Sequence, residues 1–170
     1  VADCKHNAKQ IISLAKELAK KDVKLAVFPE LCITGYTCQD LFYQTTLLDG
    51  AKNALVTILE ELSELDMITV VGLPIQYDSK LYNCAAVTYH GKVLGYVPKQ
   101  YLPNYNEFYE MRQFTSAAEL PTDATIQIDG KNIPFGRDLI FAHESLEDYR
   151  FAVEICEDLW AAHTPSEDLA

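Results

Sequence analysis

Apolar residues recur at offsets of three and four along residues 5–21. Ala8, Ile11, Ile12, Ala15, Leu18 and Ala19 share one face, and the lysines lie mostly elsewhere. The spacing predicts a helix, with Asp3 placed to cap its start. In "KLAVFPE" the period collapses to a short apolar run. That predicts a buried strand, Leu25–Phe28, stopped at Pro29 because proline has no N–H to continue a ladder. The loop "ELCITGYTCQD" follows, broken at Gly35. Residues 46–65 return to the helical period, with Leu48, Ala51, Leu55, Ile58, Leu59 and Leu62 on one side.

Beyond residue 66 the pattern is that of strands. "MITVVGLPI" is rich in β-branched residues, and "LYNCAAVTYHGKVLGYVPK" predicts two strands around a tight His90-Gly91-Lys92 turn. Lys99 to Phe114 has no clean period. A segment that long without one is more often functional than connecting. "ATIQIDGKNIPFG" predicts a small hairpin turning at Asp129-Gly130. "LIFAHE" and "RFAVEIC" predict two last strands, and a helix begins near Ser166 after Pro165. The order α-β-α-β-β-β, then mostly β, predicts an α/β domain with helices laid on a sheet. The 170 residues suffice for one domain with a sizeable core, and nothing marks an internal boundary. The chain opens almost on a helix and stops just after another starts, so it reads as a domain trimmed at both ends.

Charge and cysteine content narrow the function classes. A net charge of −11 with no basic patch argues against a phosphate-backbone partner, so no nucleic acid is expected. No apolar run approaches the ~20 residues of a membrane span, and no signal-peptide pattern stands at Val1. Cys4, Cys32, Cys38, Cys84 and Cys156 are odd in number and irregularly spaced, without a C-x-x-C pair, and the histidines lie far apart. Neither a disulfide framework nor a metal site is expected. Reduced thiols, mostly buried as small apolar groups, fit a cytoplasmic protein.

Three chemically capable residues stand directly after predicted strands, where α/β sheets tend to carry their active groups. Glu30 follows Leu25–Phe28, Lys99 follows Val93–Val97, and Cys156 follows Phe151–Ile155. Singly, Glu30 reads as a solvated strand end, Lys99 as a surface lysine and Cys156 equally as a core thiol. In "EICEDLW" the thiol sits among Glu154, Glu157 and Asp158, and nearby negative charge disfavours a thiolate. Taken together the three can do definite chemistry. A cysteine attacks an amide or nitrile carbon to form a thioester, a glutamate carries the proton, and an ammonium stabilises the oxyanion. No histidine is required.

At these positions the sequence resembles the nitrilase (carbon–nitrogen hydrolase) superfamily. "FPELCITGY" resembles its Glu motif, "PKQYLPNYNEFYE" its Lys motif and "EICEDLW" its Cys motif, in the family's order. "LPNYNEFYEMRQF" and "EICEDLW" most resemble the glutaminase domain of glutamine-dependent NAD+ synthetases. The resemblance implies a nitrilase-type α-β-β-α sandwich, with residues 1–170 as part of one glutamine amidotransferase domain. It implies Glu30 as general base, Lys99 as oxyanion-stabilising lysine, Cys156 as nucleophile, and Glu110 as an additional glutamate, with Glu107 close enough to compete. It implies Tyr105 and Phe108 as an aromatic wall around glutamine. Glu157 is implied to hold the substrate's amino end, with its N–H at the oxyanion. Activation of Cys156 is expected from Lys99 and from the amides of the helical turn opening at Glu157. Glu154 and Asp158 are expected to be structural. No cofactor is implied in this domain. ATP and Mg2+ belong to a synthetase domain absent from the sequence, which would be a partner of this domain in a homo-oligomeric parent. Two other readings stand beside this one: a carbon–nitrogen hydrolase acting on another small amide, nitrile or carbamoyl compound, and an inactive α/β scaffold.

Overall fold

The computed structural model describes all of residues 1–170. It contains α1 (Cys4–Ala19), β1 (Leu25–Val27), α2 (Thr45–Glu61), β2 (Ile68–Tyr77), β3 (Lys80–Tyr89), β4 (Lys92–Pro98), β5 (Thr125–Ile128), β6 (Lys131–Pro134), β7 (Phe141–Ala142), β8 (Arg150–Phe151) and α3 (Pro165–Leu169). The Asp3 carboxylate accepts the His6 N–H at 2.9 Å and so caps α1. In α2 the buried stripe is Leu47, Ala51, Ala54, Leu55 and Ile58. The predicted stripe started one residue late: steps of four and three from Leu47 keep to the core side, whereas Leu48 and Leu59 are rotated off it and only half-buried.

The main sheet has the order β1-β2-β3-β4, with β1 parallel to β2 and the remaining pairs antiparallel. The hairpin turns of this sheet and of the separate β5–β6 pair place two successive residues at positive φ, as the right-handed twist of a two-residue hairpin demands. His90 (45°) and Gly91 (71°) do so between β3 and β4, and Asp129 (48°) and Gly130 (74°) between β5 and β6, both as predicted. The β2–β3 turn uses Asp78 (47°) and Ser79 (64°), without the glycine that would have announced it.

Alternation along the strands divides the sheet into two faces. Val71, Leu73, Cys84 and Ala86 join the core under α1 and α2, while Val70, Ala85 and Val87 face the opposite side. Opposite Val87 and Thr88 of β3 the register slips, leaving Leu94 of β4 as an extra residue. The bulge lets Val93 and Tyr96, three apart, both enter the helix-side core. On the opposite face Phe141, Phe151, Val153 and Ile155 pack against Val70, Ala85 and Val87. The layers are therefore helices, sheet and a thin β ribbon.

The last two predicted strands shrink to two residues each, paired Phe141↔Phe151 and Ala142↔Arg150. Residues 152–155 continue without ladder partners, so Cys156 does not end a strand as expected. The apolar Val153 and Ile155 that gave the strand pattern are used in packing. No helix is long and apolar enough to cross a membrane.

Candidate active site

Glu30 is placed by a close crossing of two backbones. After β1, Phe28 N–H donates to the Val70 carbonyl (2.9 Å) and Ile33 N–H to the Gly72 carbonyl (3.1 Å), which draws the Pro29–Ile33 loop over β2. A β-carbon on Gly72 would stand 2.9 Å from the Glu30 carbonyl carbon and 2.3 Å from the Leu31 nitrogen, so only glycine fits. Leu31 (φ 50°) and Ile33 are fully buried and anchor the loop on either side.

Lys99 leaves β4 with its N–H on the Asn83 carbonyl (2.8 Å) and its own carbonyl on the Ala117 N–H (3.0 Å). Its side chain is completely buried. Nζ donates to Glu30 Oε1 at 2.7 Å and to Glu110 Oε1 at 2.8 Å. Asn83 Nδ2 also donates to Glu30 Oε1 (2.5 Å), and the Tyr36 hydroxyl donates to Glu110 Oε1 (2.6 Å). Of the two competing glutamates, Glu110 is buried in this cluster and Glu107 is exposed. Burial presses the Lys99 pKa down, but Glu30 and Glu110 outweigh it and hold the ammonium above its ordinary value. Burial pushes the Glu110 carboxyl up, against the lowering pull of Lys99 and Tyr36.

Cys156 opens a tight turn, Cys156–Trp160, with its own φ at 49°. That left-handed conformation is strained for a residue with a β-carbon, and such strain concentrates at functional sites. The thiol is solvent-accessible, whereas Cys4, Cys38 and Cys84 are buried and Cys32 is half-buried. It lines a cavity of about 100 Å³ together with Glu30, Asn83, Cys84, Glu154 and Ile155. Burial and then the Glu30 carboxylate raise the thiol pKa, with Lys99 opposing them. Lys99 thus pulls the thiol down, as expected of it, but is outweighed, and the side chain sits beside a carboxylate that can take its proton. The leading negative charges on it are Glu30 and Glu110 rather than its sequence neighbours.

Those neighbours have other partners. Asp158 is buried, and its carboxylate accepts the N–H groups of Gln100 (3.0 Å), Tyr101 (2.8 Å) and Ile155 (3.1 Å). Burial raises its pKa while these donors pull it down. Glu154 accepts the Ser166 N–H at 2.7 Å. Glu157 is half-buried and accepts the Tyr105 hydroxyl on its two oxygens, at 3.0 and 2.9 Å. Tyr105 stacks edge-on against Phe108 (5.9 Å), and Phe108 against Tyr36 (6.4 Å), forming one continuous aromatic wall.

All seven predicted site residues thus lie in one region. Asn83, Tyr36 and Gly72 were not singled out from the sequence. A lone amide in the apolar run "LYNCAAV", a tyrosine beside Gly35 and a glycine inside a β-branched strand were the visible signals.

A profile of the carbon–nitrogen hydrolase family matches residues 1–165. The chain belongs to this family. Among its carbon–nitrogen hydrolase relatives, the glutamine-dependent NAD(+) synthetase of Mycobacterium tuberculosis is 40% identical over 173 residues, covering all of this chain and 25% of that protein. The synthetase of Aquifex aeolicus is 33% identical over 94% of this chain and 24% of its own length. The crystal structure of a glutamine-dependent NAD(+) synthetase from Cytophaga hutchinsonii superposes with a TM-score of 0.81 at 33% identity, over 91% of this chain and 26% of that one. An amidase from Nesterenkonia, 22% identical with a TM-score of 0.57 over 76% of this chain and 49% of its own, shares the fold. The chain spans about a quarter of the length of the curated relatives it matches.

Proposed function

We propose that this chain is the glutamine-hydrolysing part of a glutamine-dependent NAD+ synthetase, supplying ammonia for the ATP-dependent amidation of deamido-NAD+. The observation that carries the reading is the meeting of Glu30, Lys99 and Glu110 in one hydrogen-bonded cluster beside Cys156. Similarity to proteins of that name over the whole of this chain, a quarter of their length, supports the substrate.

The geometry supports the following sequence of steps. Glutamine lies along the wall of Tyr105 and Phe108, its α-ammonium on Glu157. Cys156 sulfur attacks the side-chain amide carbon as Glu30 takes the thiol proton, the role a carboxylate beside a neutral thiol can fill. The oxyanion forms against Lys99 and the N–H of Glu157. The C–N bond breaks as Glu30 returns the proton to nitrogen, releasing ammonia and leaving a thioester. Water, deprotonated by Glu30, attacks the thioester carbon, and glutamate leaves as the thiol is restored. Glu110 holds Lys99 from the far side. Cysteine, carboxylate and ammonium supply nucleophile, proton carrier and positive charge, so the step draws on no cofactor. ATP and Mg2+ would serve the amidation elsewhere in the enzyme. Five free cysteines agree with a cytoplasmic setting.

The test is Cys156→Ala in the native-length protein. Glutamine-dependent NAD+ formation should vanish while ammonia-dependent formation persists. If glutamine still drives the reaction, the nucleophile assignment fails. If a small amide or nitrile is hydrolysed in preference to glutamine, the substrate assignment fails.

A further inference from the structure

We propose that Asp158 is a positioning residue that sets Cys156 against Lys99, by clamping the segment behind the lysine to the turn that carries the thiol. The proposal rests on the reading of those two residues given above. Gln100 directly follows Lys99, and Ile155 directly precedes Cys156. One carboxylate holds both: Oδ1 accepts Gln100 N–H (3.0 Å) and Tyr101 N–H (2.8 Å), and Oδ2 accepts Ile155 N–H (3.1 Å). The Asp158 N–H in turn donates to the Ile155 carbonyl at 3.1 Å, so the turn closes on its own clamp.

Two features make this more than one buried hydrogen-bonded carboxylate. Residues 152–155 have no ladder partner, so Asp158 supplies the Ile155 N–H with the acceptor a neighbouring strand would have given. Cys156 is also held at a φ of 49°, a conformation that persists only where its surroundings over-determine it. All three donors are main-chain N–H groups, so Asp158 is the side chain on which the clamp depends.

Asp158→Asn separates positioning from bulk. The amide keeps the size but has a single acceptor oxygen. If that oxygen stays with Gln100 and Tyr101, an N–H₂ group is turned on the Ile155 N–H, and the thiol-bearing turn is released. In the native-length protein, kcat for glutamine hydrolysis should fall about 100-fold, the cost of a misplacement near 1 Å. KM should stay within about threefold, because the aromatic wall of Tyr105 and Phe108 lies outside the released turn. Alkylation of Cys156 by iodoacetamide should speed up at temperatures well below unfolding, because a released turn takes the thiol away from the burial and the Glu30 charge that hold its pKa up. A kcat near that of the wild type, or a loss confined to KM, overturns the proposal. Should Asp158→Asn fail to fold, hydrogen exchange in the wild type decides. The Gln100, Tyr101 and Ile155 amides should all exchange slowly, and fast exchange at any one overturns the clamp. Failure of the underlying reading looks different, since Cys156→Ala would then still hydrolyse glutamine.

Discussion

Gly72 and Leu31 approach so closely that a β-carbon on the glycine would lie 2.3 Å from the Leu31 nitrogen. The contact is backbone on backbone, so no rotamer change can relieve it. Gly72→Ala must lift the loop that carries Glu30 off β2. The expected cost is about 1–3 kcal/mol in stability, as for other overpacked interiors. The expected loss in kcat is about 100-fold, because the base moves relative to the thiol. Thermal denaturation and glutamine hydrolysis measure the two. An alanine variant with full activity would show that the approach does not position Glu30.

Lys99 stands between two carboxylates with its side chain wholly buried. Removing it leaves Glu30 and Glu110 as neighbouring like charges without a cation. Lys99→Met should therefore destabilise by about 3–5 kcal/mol, the cost of breaking a buried pair from one side. Adding Glu110→Gln removes one of the stranded charges, so the double variant should be more stable than the sum of the singles. The pH dependence has a definite sign. Burial raises the Glu110 carboxyl above its ordinary value of ~4.3, so the folded form binds the proton more tightly than the unfolded form. Its effect favours folding below that ordinary value and fades as pH rises through the raised one. With Lys99 gone the raised value climbs further, and Lys99→Met should be less destabilised in acid than at neutrality. Denaturant midpoints across pH would check this, and equal loss at both ends would contradict it.

The helices and the three glycine-punctuated or proline-bounded elements were legible because their signals are local. Asp3 caps within one turn, and the His90-Gly91 and Asp129-Gly130 pairs dictate their own hairpins. Asp78-Ser79 makes the same turn without glycine, so only the sheet it closes reveals it. The strand expected before Cys156 failed for a related reason. Val153 and Ile155 are apolar because they pack on Val70 and Val87, and periodicity does not distinguish packing from pairing. Glu30 and Lys99 were visible as candidates by position close after strands, whereas Cys156, which follows no strand, was marked out only by resemblance. The Glu110 and Glu107 alternatives could be separated only by burial, because both occur within "NEFYE". Asn83 was missed since a single amide in an apolar strand has no partner in sequence: Glu30 lies 53 residues away.

Asn83 invites a direct test. Its Nδ2 donates to Glu30 Oε1, while its own Oδ1 is buried with no hydrogen-bond partner. An orphaned buried carbonyl costs about 1–3 kcal/mol, so the amide is a poor choice for stability alone. Asn83→Leu removes that orphan and a donor to Glu30 together, leaving Lys99 to hold the carboxylate. Melting temperature should shift by no more than about 4 °C, corresponding to roughly 1 kcal/mol. Yet kcat should fall at least about 10-fold as Glu30 loses its second anchor. A variant that melts far lower with an unchanged kcat would assign Asn83 to the fold instead.

The pH profile of Cys156 distinguishes a proton-transfer site from a preformed thiolate. Burial, followed by the Glu30 charge, raises its thiol, and Lys99 pulls the other way. Iodoacetamide labelling of Cys156, followed by mass spectrometry, should therefore rise with a midpoint above the ~8.5 of a free cysteine. Glu30→Gln removes the opposing charge and should lower that midpoint even as glutamine hydrolysis is lost. Lys99→Met should raise it. Cys32 is an internal control, because burial pushes its thiol to about 11 and its labelling should lag throughout. A wild-type midpoint at or below neutrality, about 7, would mean the thiolate is already formed, and Glu30 would then not be needed to take its proton.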